Sequence, residues 1–270
     1  MANIFEKNKT YLGDCLELMP QMESGIFDMI LCDLPYGTTA CKWDTIIPFE
    51  PLWNEYERLI KPNGVIVLTA SQPFASLLIC SKINLFKYDI IWNKKRPTGQ
   101  LNVKRQPLRQ HEHILIFYKS QPTYNAIMHE NRLKRDFVGK SEKSKKQSDN
   151  YGEQYDYNSN IEADSLSYPR SIIEQTTVIG NSIAKLPHPT QKPVALFEWL
   201  IKTYTNKNEL ILDNCAGSGT TAEACYNTGR NYIQIEKEQK YFDLILGREK
   251  SFNKKDYEPQ TSLWNTANGI

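Results

Sequence analysis

FDMILCDLPY (residues 27–36) joins a short apolar run to the tetrapeptide Asp33-Leu34-Pro35-Tyr36. The apolar run has the length and composition of a buried strand in a parallel sheet. The tetrapeptide therefore follows the carboxyl end of a strand, which is where open α/β sheets bind their ligands. A carboxylate and a rigid backbone carbonyl offer two acceptors there, beside an aromatic ring that can stack. This arrangement suits a planar group with an exocyclic amine, such as a nucleobase, and an ordinary strand and turn is the alternative.

Length and composition predict a globular protein with no membrane partner. The 270 residues are enough for one large domain, or for one domain with a substantial insertion, and 40% of them are hydrophobic. No apolar run approaches the roughly 20 residues that span a bilayer, and the first residues lack the apolar region of a signal peptide. The six cysteines contain no C-x-x-C pair, and their spacing with the four histidines does not suggest a metal site. We therefore expect a cytoplasmic protein with reduced cysteines and no metal.

The net charge of +2 conceals a basic middle on an acidic body. Residues 92–146 contain 14 Lys and Arg against 4 Asp and Glu, a local net charge of +10. Such a segment indicates a polyanion partner, and a solvated loop is the alternative. Residues 120–187 are also polar and contain scattered tyrosines. Basic residues with interleaved aromatics suit contact with nucleic acid.

Strands alternate with helices in two sections of the chain, which predicts βα units on a mostly parallel sheet. The predicted strands are 27–32, 65–68, 88–92, 113–118, 209–213 and 231–236. The predicted helices are 49–60, one that begins near 72–74, 193–204, 222–228 and 239–250. The periodicity fails between these two sections. We therefore divide the chain into a first half-domain at 1–119, an inserted recognition region at 120–187 and a second half-domain at 188–270.

A second candidate site follows the predicted strand 209–213. Residues 216–221, Ala-Gly-Ser-Gly-Thr-Thr, contain two glycines that permit a tight turn and a close approach by a ligand to a helix N-terminus. Glu236 ends the next strand, where its carboxylate can accept from both hydroxyls of a ribose. These features predict a nucleoside cofactor, either a dinucleotide or a methyl donor built on adenosine. A turn without a ligand is the alternative, because G-x-G alone is a weak motif.

The methyl donor also accounts for the tetrapeptide and the basic middle, and the motifs resemble those of a known family. Asp33-Leu34-Pro35-Tyr36 resembles the catalytic motif D-P-P-Y of S-adenosylmethionine-dependent DNA amino-methyltransferases, and residues 213–221 resemble their cofactor loop D-P-F-x-G-S-G-T-T. Residues 188–193 resemble H-P-T-x-K-P, and residues 13–17 resemble G-D-x-L-E. The order, with the catalytic motif first, is similar to that of the permuted (β) class. Several matches in order are far more specific than any one of them.

The resemblance implies an α/β, Rossmann-like methyltransferase fold with helices on both faces of the sheet and a circularly permuted motif order. Catalysis then belongs to residues 1–119, cofactor binding to 188–270 and target recognition to the insert. The implied activity is site-specific methylation of a base that is flipped out of double-stranded DNA, in a bacterial or phage-encoded enzyme. S-adenosylmethionine is the implied cofactor, S-adenosylhomocysteine is the product, and no metal is needed. A homodimer and a restriction endonuclease partner stay open.

The resemblance also assigns roles to individual residues. Tyr36 would stack on the base, while Asp33 and a backbone carbonyl of Leu34 or Pro35 would accept hydrogen bonds from its amine. The implied cofactor-binding residues are Asp14, Asp33, His188, Thr190, Lys192, Asp213, Cys215, Ala216, Gly217, Ser218, Gly219, Thr220, Thr221 and Glu236. The basic residues expected to contact DNA are Lys94, Lys95, Arg96, Lys104, Arg105, Arg109, Arg132, Lys134 and Arg135. A helix cap is the alternative role for Asp14, and surface charge is the alternative for Lys192.

The preferred target is N6 of adenine, because an initial Asp in the motif is more typical of the adenine enzymes in the family and Ser of the cytosine enzymes. N4 of cytosine needs the same acceptors and stays open, as do an RNA or protein-amide substrate and a catalytically silent DNA-binding module. Two positions depart from the family pattern. Leu34 replaces a proline, which a backbone acceptor tolerates, and Asn214-Cys215 replaces Pro-Phe, which leaves the packing against the donor open.

Overall fold

The apolar runs pair into one mixed sheet. The computed structural model describes residues 5–38, 41, 44–130, 166–177 and 191–252. Its strands are β1 (Lys9–Leu12), β2 (Phe27–Asp33), β3 (Ile60–Ala70), β4 (Phe86–Thr98), β5 (Arg109–Phe117), β6 (His129–Glu130), β7 (Leu166–Ser167), β8 (Ile172–Glu174), β9 (Leu210–Asp213) and β10 (Asn231–Glu236). Eight of them form a sheet in the spatial order β1-β10-β9-β2-β3-β5-β4-β8. All neighbouring pairs are parallel except those of β5, which runs against β3 and β4, so the prediction of a mostly parallel sheet is confirmed.

The predicted helices are confirmed with small shifts at their ends. The helices are α1 (Cys15–Leu18), which was not predicted, α2 (Phe49–Leu59), α3 (Phe74–Ser81), α4 (Val194–Tyr204), α5 (Thr220–Thr228) and α6 (Gln239–Phe252), with short 3₁₀ turns at Met19–Gln21 and Gln100–Asn102. The helix α2 buries Leu52, Trp53, Tyr56 and Leu59, which recur at helical spacing. None of the helices in the described ranges is long and apolar enough to cross a membrane.

The chain divides into two compact units. The larger comprises Met1–Asn125 and Arg170–Ile270 and contains the eight-stranded sheet. The smaller comprises Ala126–Pro169, and in it β6 pairs with β7 in antiparallel fashion, with His129 opposite Ser167. Most of the predicted insert, residues 131–165 and 178–187, lies outside the described residues.

The core of the larger unit lies against the central strands. Met29, Ile30, Leu31 and Cys32 are fully buried in β2, as expected for a strand that has neighbours on both sides and is covered on both faces. On one side β2 pairs with β9, and on the other it pairs with β3. Burial of this apolar run fixes the position of Asp33, the residue that ends the strand.

The carboxyl ends of four strands meet at one edge of the sheet. The strands β1, β10, β9 and β2 are consecutive and parallel, so the residues that follow or end them lie at the same edge. These residues are Asp14 after β1, Glu236 in β10, Asp213 in β9 and Asp33 in β2. The topology therefore gathers four carboxylates that are far apart in the sequence.

Candidate active site

A cavity of about 720 Å³ at this edge brings the two sequence motifs together. Asp33 and Asp213 end neighbouring strands, in which Met29 lies opposite Ile211. Because the tetrapeptide and the glycine loop leave adjacent parallel strands at the same edge, both line the cavity. The volume lies within the usual range for ligand and cofactor sites.

Three side chains hold the carboxylate of Asp33. The Tyr36 hydroxyl donates to Oδ1 at 2.7 Å, and the Thr69 hydroxyl donates to the same oxygen. The Lys192 ammonium donates to Oδ2 at 2.7 Å. Thr69 lies directly opposite Asp33 in the register of β2 and β3, which explains the contact. The carboxylate is therefore fixed in orientation while it lines the cavity.

The ring of Tyr36 packs against Phe74, and the Lys192 ammonium lies over it, with Nζ 5.5 Å from the ring centroid. It stacks on Phe74, with ring centroids 5.2 Å apart and an interplanar angle of 25°. Burial, and next the nearby Asp33 carboxylate, raise the pKa of Tyr36 well above its usual value, so its hydroxyl stays a donor. Tyr36 also lines the cavity, so its ring can contact a planar ligand there.

Lys192 links Asp33 to a second buried charge pair. Its Nζ lies 3.4 Å from Glu112 Oε2, and Lys94 Nζ lies 3.2 Å from Glu112 Oε1. Burial disfavours the charge on Lys192, but the carboxylates of Asp33 and Glu112 outweigh it and hold the pKa of Lys192 well above its usual value. Two ammonium groups and two carboxylates thus alternate along one wall of the cavity.

The glycine loop and Glu236 form the opposite end of the cavity. The backbone N–H of Gly217 donates to Glu236 Oε2 at 2.7 Å, and the N–H of Glu238 donates to Oε1 at 2.8 Å. Each carboxylate oxygen has two lone pairs, so Glu236 can still accept from a ligand. Gly217 and Gly219 have φ of 56° and 72°, a region that favours glycine. A side chain at Gly219 would also come within 3.2 Å of Ile245.

Asp213 shapes the loop from inside. Its Oδ1 accepts from the backbone N–H of Cys215 at 3.1 Å, and its Oδ2 accepts from the Thr221 hydroxyl. Burial raises the pKa of Asp213 to about 7. Asp213 and Thr221 are therefore turned toward each other. Thr220 donates to the backbone carbonyl of Lys192 at 3.3 Å, which ties the loop to the segment before α4.

The departure at Asn214-Cys215 has a clear packing partner. The Tyr56 hydroxyl donates to Asn214 Oδ1 at 2.6 Å, and both residues are buried. Asn214 thereby connects the start of the glycine loop to α2. Cys215 lines the cavity beside it.

Asp14 lines the cavity and also caps a helix. Its side chain accepts from the backbone N–H of Leu16 at 2.9 Å at the start of α1, and Lys237 donates to it at 2.8 Å. The Lys237 hydrogen bond is the main reason that the pKa of Asp14 is lowered. The cap that the sequence offered as an alternative is thus present, together with a place in the cavity wall.

The basic residues expected at DNA fall into three groups. Lys95, Arg96, Lys104, Arg105 and Arg109 are exposed. Lys94 is buried against Glu112, so it presents no free cation to a DNA backbone, contrary to our expectation of a surface contact. His188 and Thr190 of the cofactor set, and Arg132, Lys134 and Arg135 of the DNA set, lie outside the described residues.

Sequence reasoning missed three residues that shape the cavity: Thr69, Glu112 and Tyr56. Thr69 and Glu112 act on Asp33 and Lys192, and Tyr56 acts on Asn214. Glu112 follows three polar residues in β5, so the sequence carries no signal that sets it apart. None of the groups of His, Cys, Asp and Glu in the described part of the chain could hold a metal ion.

The comparison with protein families decides the identity. The model of the DNA methylase family N6_N4_Mtase matches residues 27–247. The chain belongs to this N6/N4 family of S-adenosylmethionine-dependent DNA methyltransferases. The match covers the tetrapeptide, the glycine loop and Glu236, so the resemblance to the N6/N4 family is confirmed.

Relatives match over most of their length. The type II methyltransferase M1.MboII of Moraxella bovis is 28% identical over 252 residues, which are 88% of this chain and 95% of the relative. The type II methyltransferase M.HinfI of Haemophilus influenzae is 27% identical over 274 residues, covering 89% of this chain and 68% of the relative.

Solved structures of methyltransferases share the fold. The M1.HpyAVI–SAM complex has a TM-score of 0.60 and 27% identity, covering 89% of this chain and 98% of that one. The cytosine-N4-specific PvuII DNA methyltransferase has a TM-score of 0.65 and 14% identity, covering 95% and 90%, and shows likeness of fold alone. The Rossmann-like methyltransferase fold is thus confirmed.

The residues present fit S-adenosylmethionine. A carboxylate fixed by two backbone N–H donors lies beside a glycine loop, which suits a ribose and a close approach of the nucleoside. Asp33 lies in the same cavity, so a methyl donor and a methyl acceptor can be held in one enclosure.

Proposed function

We propose that this protein transfers a methyl group from S-adenosylmethionine to N6 of an adenine in double-stranded DNA, as a site-specific type II methyltransferase. The observation that carries the proposal is the position of Asp33. Its carboxylate is held at the end of β2 by Tyr36, Thr69 and Lys192, in the cavity that also contains Glu236 and Gly217.

The proposed step places a flipped base between Tyr36 and the donor. S-adenosylmethionine supplies a methyl group bound to a positively charged sulfur. The lone pair of the amine nitrogen forms the new C–N bond, the C–S bond breaks with its electron pair on sulfur, and one N–H proton leaves to solvent. Asp33 accepts a hydrogen bond from the amine, which orients the lone pair and stabilises the positive charge that develops on nitrogen. Tyr36 holds the base by stacking.

The choice of base rests on the motif. The initial Asp favours adenine by resemblance to the family. Cytosine N4 is the second candidate, because one carboxylate and one backbone carbonyl suit both amines.

A basic loop at the cavity supports DNA as the substrate. Thr98 pairs with Arg109 at the ends of β4 and β5, and both residues line the cavity. The ten residues between them are all exposed and include Lys104 and Arg105. Positive charge beside the cavity would bind phosphates next to the flipped base.

The remaining expectations are part of the same proposal. The order of the motifs, with the tetrapeptide before the glycine loop, supports the permuted class. The division into half-domains at 1–119 and 188–270 around an insert at 120–187 stays a proposal, as do a cytoplasmic location, a homodimer and a restriction endonuclease partner.

The test is incubation of the purified protein with labelled S-adenosylmethionine and mixed-sequence duplex DNA, followed by nucleoside analysis. Label in N6-methyldeoxyadenosine is the expected result. Label in N4-methyldeoxycytidine would keep the chemistry and reverse the choice of base. Donor binding by calorimetry without any labelled nucleoside would contradict the proposed activity on DNA and favour a silent binding module or another substrate.

A further inference from the structure

We propose that Lys192 recognises the target base directly, by donating a hydrogen bond from Nζ to the ring nitrogen beside the exocyclic amine while Asp33 accepts from the amine. In adenine this ring nitrogen is N1, and in cytosine it is N3. The inference deepens the proposed function and rests on it.

The first observation is a donor and an acceptor placed side by side in the cavity. Lys192 Nζ lies 2.7 Å from Asp33 Oδ2, and both residues line the cavity. On the Watson–Crick edge of adenine, one carbon atom separates the amine from N1. A ligand with a donor beside an acceptor therefore matches a protein pair with an acceptor beside a donor.

The second observation is that two carboxylates hold the Lys192 ammonium, which can still donate a hydrogen bond to a ligand. An ammonium has three N–H donors. One is used on Asp33, and Nζ also forms an ion pair with Glu112 Oε2 at 3.4 Å without a hydrogen bond to it. Glu112 is in turn held by Lys94, which is buried. The ammonium therefore has N–H donors left for a ligand in the cavity, where Nζ lies 5.5 Å from the centroid of the Tyr36 ring.

The third observation is the free-energy cost of burying the Lys192 ammonium. Lys192 is 8% exposed, and burying an ammonium with a carboxylate is seldom worth more to stability than an apolar pair of the same size. A buried ion pair that lines a cavity is better explained by a ligand. The raised pKa of Lys192, which Asp33 and Glu112 maintain against the opposing effect of burial, keeps the group charged and a donor.

The pair would discriminate between bases by its chemistry. Guanine and thymine present a carbonyl where adenine and cytosine present the amine, and an N–H where these present a bare ring nitrogen. A carboxylate facing the carbonyl and an ammonium facing the N–H would each be mismatched. The ring nitrogen is a stronger nucleophile than the exocyclic amine. The hydrogen bond from Lys192 engages the lone pair of the ring nitrogen, so methyl transfer is directed to the amine.

The experiment compares base analogues at the mapped target position. Duplexes carry adenine, 1-deazaadenine (N1 replaced by C–H) or 7-deazaadenine (N7 replaced by C–H), each opposite an abasic site so that flipping costs the same. We expect wild-type kcat/KM to fall roughly 10-fold to 100-fold on 1-deazaadenine, the value of one charge-assisted hydrogen bond. It should change little on 7-deazaadenine. Equal rates on adenine and 1-deazaadenine would overturn the proposal.

Variants separate recognition from a structural role. Lys192→Met should methylate adenine and 1-deazaadenine at equal, reduced rates, and Lys192→Arg should recover part of the preference for adenine. If Lys192→Met still preferred adenine as strongly as the wild type does, Lys192 would not make the contact. Should the variant prove inactive, the wild-type analogue series still decides. Should cytosine be the methylated base, 3-deazacytosine replaces 1-deazaadenine. A failure of wild-type protein to label ordinary DNA would instead contradict the proposed function.

Discussion

Lys192 Nζ lies 2.7 Å from Asp33 Oδ2, although the two residues are 159 positions apart in the chain. Asp33 ends β2, and Lys192 lies two residues before α4. Tyr36 and Thr69 occupy the other carboxylate oxygen. These contacts fix the orientation of the carboxylate and leave a lone pair of Oδ2 for a substrate. Such preorganisation is what makes an acceptor effective against charge that develops during a reaction.

Asp33→Asn tests the acceptor. The amide has nearly the same shape and can still accept a hydrogen bond, but it carries no charge, so it stabilises the positive nitrogen less. We expect kcat to fall by roughly 10²-fold or more, as for other preorganised electrostatic contacts, with the donor affinity from calorimetry nearly unchanged. The exposed Glu23→Gln is a matched control and should leave both values as in the wild type. Turnover near the wild-type rate in Asp33→Asn would remove Asp33 from the reaction.

Substitutions at Tyr36 separate stacking from hydrogen bonding. Tyr36→Phe keeps the ring on Phe74 but removes the 2.7 Å hydrogen bond to Asp33, so kcat/KM should fall by about 10-fold. Tyr36→Ala also removes the stacking platform, and because base stacking on an aromatic ring is worth about 1–3 kcal/mol, a further loss is expected. Steady-state kinetics on duplex DNA provide the comparison. Equal effects of the two substitutions would mean that the ring does not hold the base.

The sequence sufficed to predict six of the eight strands of the sheet and the two halves of the cavity. An apolar run that ends in Asp33 and a strand that ends in Asp213 are local signals, and parallel strands bring their carboxyl ends to one edge. The contacts around Asp33 are of another kind. Thr69 depends on the register between β2 and β3, and Glu112 depends on the antiparallel direction of β5. Neither is a local property of the chain, so no motif could have predicted them.

Short edge strands were missed for a related reason. The strand β1 has only four residues, of which Thr10 alone is buried, so it shows no apolar run. Pairing with β10, where Thr10 lies opposite Gln234, makes it a strand. Its position matters for function, because it brings Asp14 to the cavity.

Tyr56→Phe tests the support of the glycine loop. The substitution leaves Asn214 Oδ1 buried without its donor, which should lower the free energy of unfolding by about 1–3 kcal/mol. Because Asn214 begins the glycine loop, the affinity for S-adenosylmethionine should fall as well. Chemical denaturation and calorimetry measure the two effects. Tyr124→Phe, at a tyrosine that is 49% exposed, is the control and should change neither quantity. If Tyr56→Phe were destabilised but bound S-adenosylmethionine as tightly as the wild type, Tyr56 would contribute to stability and not to cofactor binding.

The basic loop between β4 and β5 is tested through salt dependence. Replacing Lys104 and Arg105 by alanine removes two exposed charges beside the cavity. If each contacts a phosphate, the slope of log affinity against log salt should become shallower by about 2, since each contact contributes nearly one unit. Alanine at the exposed Lys7 and Lys202 changes the net charge equally and should leave the slope close to that of the wild type. Identical slopes in the two double variants would show that the loop does not contact the DNA backbone.

Asp213→Asn makes a prediction about pH. Burial raises the pKa of the Asp213 carboxyl to about 7, whereas its value in an unfolded chain is about 4. Between these two values the folded protein holds a proton that the unfolded chain has released, so wild-type stability falls as the pH rises from about 4 to about 7 and stays lowered above that. The variant does not titrate, so its melting temperature relative to the wild type should rise across this window and then level off. As a control, the exposed Glu23→Gln should show no such rise in melting temperature relative to the wild type. If the melting temperatures of Asp213→Asn and the wild type changed in parallel with pH, Asp213 would be ionised in the folded protein throughout this window.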